Sequence, residues 1–311
     1  MSHSLRLVLA AVIVAVLSAV FAALADPADP AYQGAPRTIP PDPAAVAGAR
    51  GTVVLAAGDI GRCDSDEDEY TARLLDRRPG TVLMLGDAAY PAGTAAEFAR
   101  CYAPTWGRHR SRTHAVAGNH DYRTPGAAGF FDYFGLPEGA RRRTGYYSLD
   151  LGGWHVVALD SNQPLGRGSA QYAWLASDLA TRGARCTLAF FHHPRFSSGE
   201  HGNDPHVRPA WALLFAHGVE IVLSAHDHDY ERFAPQTPDG RRDDARGIRQ
   251  FVVGTGGAPL RPFGETKRQS EIRDATHHGV LALTLEADAY EWEFIGSTDE
   301  RVLDRGRSLC H

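Results

Sequence analysis

Apolar residues come in short runs along this chain, each closed by glycine or by a polar residue. The runs at 52–57, 81–85, 113–117, 146–149, 154–159, 187–191, 220–224, 249–253, 279–285 and 290–295 read as strands. Amphipathic patterns predict helices at 66–77, 94–102, 171–182 and 207–217. In the first half strand and helix alternate, which implies parallel strands joined by crossover helices. The last three strands follow one another with no helix between them, as an antiparallel meander does. The expected class is α/β, with mixed sheets and helices outside them. No internal repeat is visible.

Residues 1–25 stand apart. Arg6 gives a slightly basic start, 7–24 is apolar, and Ala23-Leu24-Ala25 is a small-residue cleavage site. That is the pattern of a secretory signal cut after Ala25. An uncleaved membrane anchor is the competing reading, because the run is long enough. Residues 26–50, rich in Pro, Ala and Asp, read as a linker. Residues 51–311 then suit one large domain. The formal charge is −5, and losing the leader with Arg6 makes it one more negative. Such a chain has no general attraction to nucleic acid or anionic lipid, so an anionic substrate needs a local positive site. Membrane association is expected only if the leader stays attached. Four cysteines in an exported chain favour two disulfides, and four allow three pairings. Cys63 with Cys101 would tie two loops that follow neighbouring strands, leaving Cys186 with Cys310.

The residues that close the apolar runs carry the chemistry. Strand 52–57 is followed by Gly58-Asp59-Ile60-Gly61, and 81–85 by Gly86-Asp87 with Tyr90 three residues on. Strand 113–117 leads to Gly118-Asn119-His120-Asp121, 187–191 to His192-His193-Pro194, and 220–224 through Ala225 to His226-Asp227-His228. Ligands of open α/β sheets gather beyond the carboxyl ends of strands. A single Gly-Asp turn is more often structural. Five strand ends bearing oxygen and imidazole donors point instead to a metal site. Two hard cations about 3.5–4 Å apart need an anion between them, which a carboxylate supplies. Carboxylate, phenolate and amide oxygens suit hard ions, and imidazole suits zinc, iron or manganese.

In this order the segments resemble the calcineurin-like metallophosphoesterases, and within them the purple acid phosphatases. The likeness runs from about Val53 to Gly257, including Leu159-Asp160-Ser161, the helix from Gln171 to Leu179, and Gly254-Thr255-Gly256-Gly257. Two details select the branch: Gly61 stands where most of the superfamily has a histidine ligand, and Tyr90 is present. The resemblance implies a four-layer fold, two mixed β-sheets packed as a sandwich with flanking helices. It also implies a first metal on Asp59, Asp87, Tyr90 and His228. A second would lie on Asp87, Asn119, His192 and His226, with Asp87 bridging. The ions implied are Fe(III) plus Zn, Mn or Fe(II), since a phenolate needs a strongly acidic partner. His120 would touch substrate or protonate the leaving oxygen, oriented by Asp121. His201 matches a further substrate-facing histidine, Gly202 stands where its neighbour would be, and His193 is left for packing or support. The fibronectin-like N-terminal domain of the larger plant enzymes is not matched.

The implied reaction is hydrolysis of a small phosphate monoester by a metal-bound hydroxide, in a secreted or extracytoplasmic setting. A protonated imidazole serves as acid below about 6.5, which fits an acidic optimum. A phosphodiesterase acting on cyclic nucleotides or phospholipid headgroups is the alternative enzyme. A metal-binding protein without turnover is the alternative outside enzymes. His109, His114, His277 and His278 read as structural, and Arg141-Arg142-Arg143 as a solvated loop.

Overall fold

A computed structural model describes residues 51–135 and 144–311. The expected leader, the linker and Arg141-Arg142-Arg143 lie outside the described residues. Parallel strands β1 (Thr52–Ala57), β2 (Thr81–Met84) and β3 (Thr113–Ala115) form one half of the first sheet. The other half is an antiparallel meander of β11 (Gly279–Leu285), β12 (Ala289–Gly296) and β13 (Val302–Leu309), joined to β1 through β11. The second sheet contains β4 (Tyr147–Leu151), β5 (Trp154–Ala158), β6 (Thr187–Phe190) and β7 (Ile221–Ser224). It is completed by β8 (Tyr230–Phe233), β9 (Arg249–Val253) and β10 (Ser270–Asp274), in the order β10-β8-β9-β7-β6-β5-β4. Within it β5, β6, β7 and β9 are parallel.

Strand periodicity explains the layering. Leu188 and Phe190 of β6 join the core shared with Leu83, Leu281 and Leu283 of the first sheet. Their neighbours Ala189 and Phe191 join Leu175 and Leu179 of α3 (Ala170–Thr181) and Trp211 and Leu214 of α4 (Arg208–Ala216). Alternate side chains thus supply two cores, one between the sheets and one under the helices. Truncating Phe190, which is fully buried, to alanine would cost about 3–5 kcal/mol. Ser169 caps α3 by accepting the Tyr172 N–H at 3.1 Å. Glu67, Asp68 and Glu69 place acid at the start of α1 (Glu67–Asp76), where the helix dipole favours it.

The expected α/β sandwich is therefore present, with four corrections. Strand 249–253 does not belong to the meander; it lies in the second sheet, parallel to β7. The meander's third strand is β13, whose consecutive non-apolar residues Asp304 to Ser308 hide it from an apolar count, and β8 and β10 were not anticipated because charged residues break or dominate them. The expected helix 94–102 starts as one turn, Ala95–Glu97, with a capping box between Thr94 and Glu97. It then widens over Phe98–Tyr102, where Ala103 N–H reaches Phe98 C=O five residues back, at 2.8 Å. A short helix α2 (Ala128–Phe134) was also missed. Both expected disulfides are present, Cys63 with Cys101 and Cys186 with Cys310, their Cα atoms 4.8 Å and 5.9 Å apart.

Candidate metal centre

Parallel strands on neighbouring sheets bring their carboxyl ends to one rim. Main-chain bonds fasten the two ends together: Gly58 N–H donates to Val253 C=O at 2.9 Å, and Gly256 N–H to Gly58 C=O at 2.9 Å. The loops after β1 and β2 run side by side through Asp59 N–H to Gly86 C=O, Ile60 N–H to Asp87 C=O and Gly61 N–H to Ala88 C=O, at 2.9–3.0 Å. Tyr90 N–H returns to Gly61 C=O at 2.8 Å. The residue that lacks a donor side chain therefore braces the loop that brings the tyrosine.

Asp59, Asp87 and His226 have φ of 58°, 53° and 73°, a left-handed conformation that costs an L-residue about 1–2 kcal/mol. Such strain persists where the surroundings demand one direction for a side chain, and it clusters at functional sites. Gly118 is required for a different reason: a Cβ there would collide with the Asp87 carboxylate.

All seven expected donors are connected. Tyr90 O–H lies 2.7 Å from Asp59 Oδ1, 3.1 Å from Asp87 Oδ2 and 3.2 Å from His228 Nε2. On the other side, His192 Nε2 lies 3.1 Å from Asn119 Oδ1, 3.2 Å from His226 Nδ1 and 3.5 Å from Asp87 Oδ2. Asp87 stands between the two groups. Two of the imidazoles have their outer nitrogen fixed by a carbonyl: His192 Nδ1 by Leu85 O at 2.9 Å, and His228 Nδ1 by Pro259 O at 2.8 Å. A carbonyl only accepts, so Nδ1 carries a proton and Nε2 is the nitrogen each ring turns inward, toward the acids.

This set fits cations. Asp59 and Asp87 are buried, which raises a carboxyl, yet both are held below the usual range by neighbouring histidines, His228 and His192 respectively. His192 is fully buried, which lowers an imidazole, yet Asp87 and Asp59 push it up to about 9. Two buried carboxylates draw positive charge to this spot, and a metal ion supplies more of it than a proton. Burial and the charges of Asp59 and Asp87 raise the Tyr90 phenol well above its ordinary value. Only a strongly acidic ion would displace its proton.

The outer residues divide differently from expectation. His120 does stand at the centre, its N–H on Asp87 Oδ1 at 2.7 Å and its ring 4.4 Å from that of Tyr90. Its ring is oriented by Pro91 O at 2.7 Å from Nδ1, and not by Asp121. Asp121 is buried and turned inward, its Oδ2 accepting the N–H groups of Gly118, Asp87 and Ala88 at 2.9, 3.0 and 3.4 Å. Its task is to brace two loops. The carboxylate–imidazole pair of this site is instead Asp227 with His201. Asp227 Oδ1 lies 2.8 Å from His201 Nδ1 and accepts its N–H at 2.8 Å, while Ser197 Oγ donates to Oδ2. The His201 ring lies 4.1 Å from that of His226 and remains partly exposed.

His193 was expected only to support. Its Nδ1 pairs with Ser161 Oγ at 2.7 Å, and its ring lies 4.4 Å from that of His226. It offers a ligand atom within 4.8 Å of those of His192 and His226. The adjacent His-His pair was its only sequence signal. Among the residues read as structural, His109 and His277 pair with Asp76 and Asp274 away from the centre.

The calcineurin-like phosphoesterase family model matches residues 52–230, more than half of the chain, and the chain belongs to that family. Within it the chain is similar to the purple acid phosphatases. It is 29% identical to purple acid phosphatase 21 of Arabidopsis thaliana over 276 residues, covering 78% of this chain and 60% of that one. With purple acid phosphatase 15 of the same plant it shares 28% identity over 219 residues, 58% of this chain and 40% of the relative. The fold matches that of purple acid phosphatase PPD1 from yellow lupin (Lupinus luteus) seeds with a TM-score of 0.68 at 18% identity, over 82% of this chain and 53% of that one. The chain thus spans between two fifths and three fifths of these proteins.

Proposed function

We propose that the protein is an exported binuclear-metal phosphatase that hydrolyses phosphate monoesters. The observation that carries this reading is the pair of donor groups meeting at Asp87, one built on Tyr90 and the other on His192. Asp59, Asp87, Tyr90 and His228 would hold one ion, and Asp87, Asn119, His192 and His226 the other. Two bound cations would neutralise phosphoryl charge and lower the pKa of water. The chain's own residues do the rest. The N–H of His120 fixes one Asp87 oxygen. His201, held by Asp227, and His120, held by Pro91, present imidazoles where an ester would lie. As the bond from phosphorus to the leaving oxygen breaks, one of these imidazoles gives that oxygen a proton. The oxygen-rich set around Tyr90 suits Fe(III), and the imidazole-rich set suits Zn, Mn or Fe(II).

Export is supported by the two disulfides, which persist in oxidising compartments. In this reading 1–25 is a cleaved leader, 26–50 a linker and 51–311 the catalytic domain, acting on a small phosphorylated substrate. No helix of the described residues is long and apolar enough to cross a membrane. The test is metal analysis of the purified protein joined to hydrolysis of 4-nitrophenyl phosphate and bis(4-nitrophenyl) phosphate. Two ions per chain with preferred monoester cleavage is the expected result. Preferred diester cleavage would replace the phosphatase with a phosphodiesterase, and bound metal without any hydrolysis would leave a metal-binding protein.

A further inference from the structure

A cleft of about 730 Å³ lies between segments 199–203 and 261–267. Both walls are fastened to the metal centre. His201, on one wall, holds its ring 4.1 Å from that of His226, tilted by 34°. Arg261, on the other, donates its backbone N–H to His228 C=O at 3.0 Å. A group leaving from a phosphorus held at the centre has this cleft beside it.

The charges in the cleft are layered. Its cations, Arg261 and Lys267, are 37% and 31% exposed, whereas their acidic partners Glu200 and Glu265 are 61% and 88% exposed. The acids sit outside and the cations inside. Arg261 donates to Glu200 Oε2 at 2.7 Å, so the pair spans the cleft from wall to wall. So exposed an ion pair contributes little to stability, and an incoming anion can take the place of Glu200 at small cost. A guanidinium meets a carboxylate or a phosphate with two parallel N–H donors. The wall beside His201 also leaves room: Gly202 has φ of 71° and no atom within 4 Å of where a Cβ would stand. Half-buried Phe263 supplies an apolar surface on the other side.

We propose that this cleft is a leaving-group subsite selecting phosphate monoesters whose leaving group carries a second anionic group, with Arg261 as its anchor and Glu200 as the displaceable stand-in. The proposal rests on the phosphatase reading above. Glycerol 3-phosphate and 3-phosphoglycerate form a matched pair, differing only by a carboxylate in place of a hydroxymethyl group. Fructose 1,6-bisphosphate offers a phosphate instead. kcat/KM is measured on all three for the metal-loaded protein, Arg261→Met and Glu200→Gln, with metal content checked in each. Arg261→Met is expected to lower the ratio of each anionic ester to glycerol 3-phosphate by about 10- to 100-fold, the worth of a hydrogen bond to a charged group. Glu200→Gln, which releases Arg261, is expected to raise it. A fall confined to 3-phosphoglycerate assigns carboxylates to the subsite, and one confined to the bisphosphate assigns phosphates. Unchanged ratios in Arg261→Met, or an equal loss on all three esters, would overturn the subsite while the phosphatase stands. Failure of the unmodified protein to cleave any of the three while it cleaves 4-nitrophenyl phosphate would likewise overturn the subsite alone, and failure on that ester too would remove both.

Discussion

At the rim, His192 and His226 turn ring nitrogens toward each other at 3.2 Å, beside Asn119 and Asp87. At the seam between β5 and α3, His155 is also buried, but each nitrogen has its own carboxylate: Nδ1 lies 3.0 Å from exposed Asp150 Oδ1 and Nε2 2.7 Å from Asp178 Oδ2. Asp178 is held in turn by Ser148 Oγ at 2.6 Å. The seam is complete without a guest. The rim turns several imidazoles, an amide oxygen and a shared carboxylate toward one space that a cation can join. A buried histidine is therefore read from what faces both of its nitrogens, and burial alone does not distinguish a ligand from a brace.

The largest expected effect breaks the rim. Asp87→Asn replaces the shared carboxylate with a neutral amide, so turnover should fall by about 10³-fold or more. Dialysed protein should lose both metals. His120→Ala, which removes an imidazole that faces the ester, should keep them. Equal metal loss in the two variants, measured by elemental analysis, would contradict the division between donors and substrate-facing residues.

Within the rim, Tyr90→Phe asks whether the two donor groups differ in kind. The phenol belongs to the oxygen-rich group, and a ferric phenolate absorbs visible light. The variant loaded with iron and zinc should lose that band while zinc remains bound. A protein fully active with no iron and no visible band would sink the ferric assignment and leave the phosphatase reading in place.

A smaller effect is expected on the substrate side. His201→Ala should lower kcat on alkyl phosphates by about 10²-fold, the lower end of general acid catalysis. It should lose much less on 4-nitrophenyl phosphate, whose leaving group needs no proton. Asp227→Asn should reproduce that leaving-group dependence more weakly, since it acts only by holding the ring. Losses of the same size on both ester types would mean that His201 binds the phosphoryl group and does not protonate the leaving oxygen.

How much of this was legible follows from where each signal lives. The donors could be read because each closes an apolar strand, and strand ends meet in space wherever strands are parallel. Gly61 and Tyr90 together marked the branch, and the structure ties them by a hydrogen bond. Partners could not be read: the groups orienting His120, His192 and His228 are the carbonyls of Pro91, Leu85 and Pro259, and every residue has a carbonyl. Asp121 follows His120 directly, yet adjacency in a turn sends the two side chains apart, while Asp227 reaches His201 across 26 positions. Strands β10 and β13 were missed because they are mostly polar, with only Ile272 in the first and a non-apolar run from Asp304 to Ser308 in the second. The sheet to which 249–253 belongs is decided by packing, which apolar periodicity does not encode.

The smallest effect tests the other side of the comparison. Burial lowers the affinity of His155 for a proton, but the hydrogen bonds it donates to Asp178 and Asp150 outweigh it, and its pKa is raised. The unfolded imidazole titrates near its ordinary value of about 6.5. Below that value the folded protein holds a proton that both carboxylates stabilise, so the contribution to stability is present in full. As pH rises through the folded value the proton leaves and the contribution is lost. His155→Gln keeps polar contacts but not the charge. It should cost about 1–2 kcal/mol at pH 5 and distinctly less at pH 9, read from urea unfolding at the two pH values. Phosphatase activity and metal content should not change at either pH, because the seam holds no ligand and faces no substrate. A destabilisation independent of pH would show that His155 stands neutral between its acids, and a loss of metal would show that seam and rim are coupled.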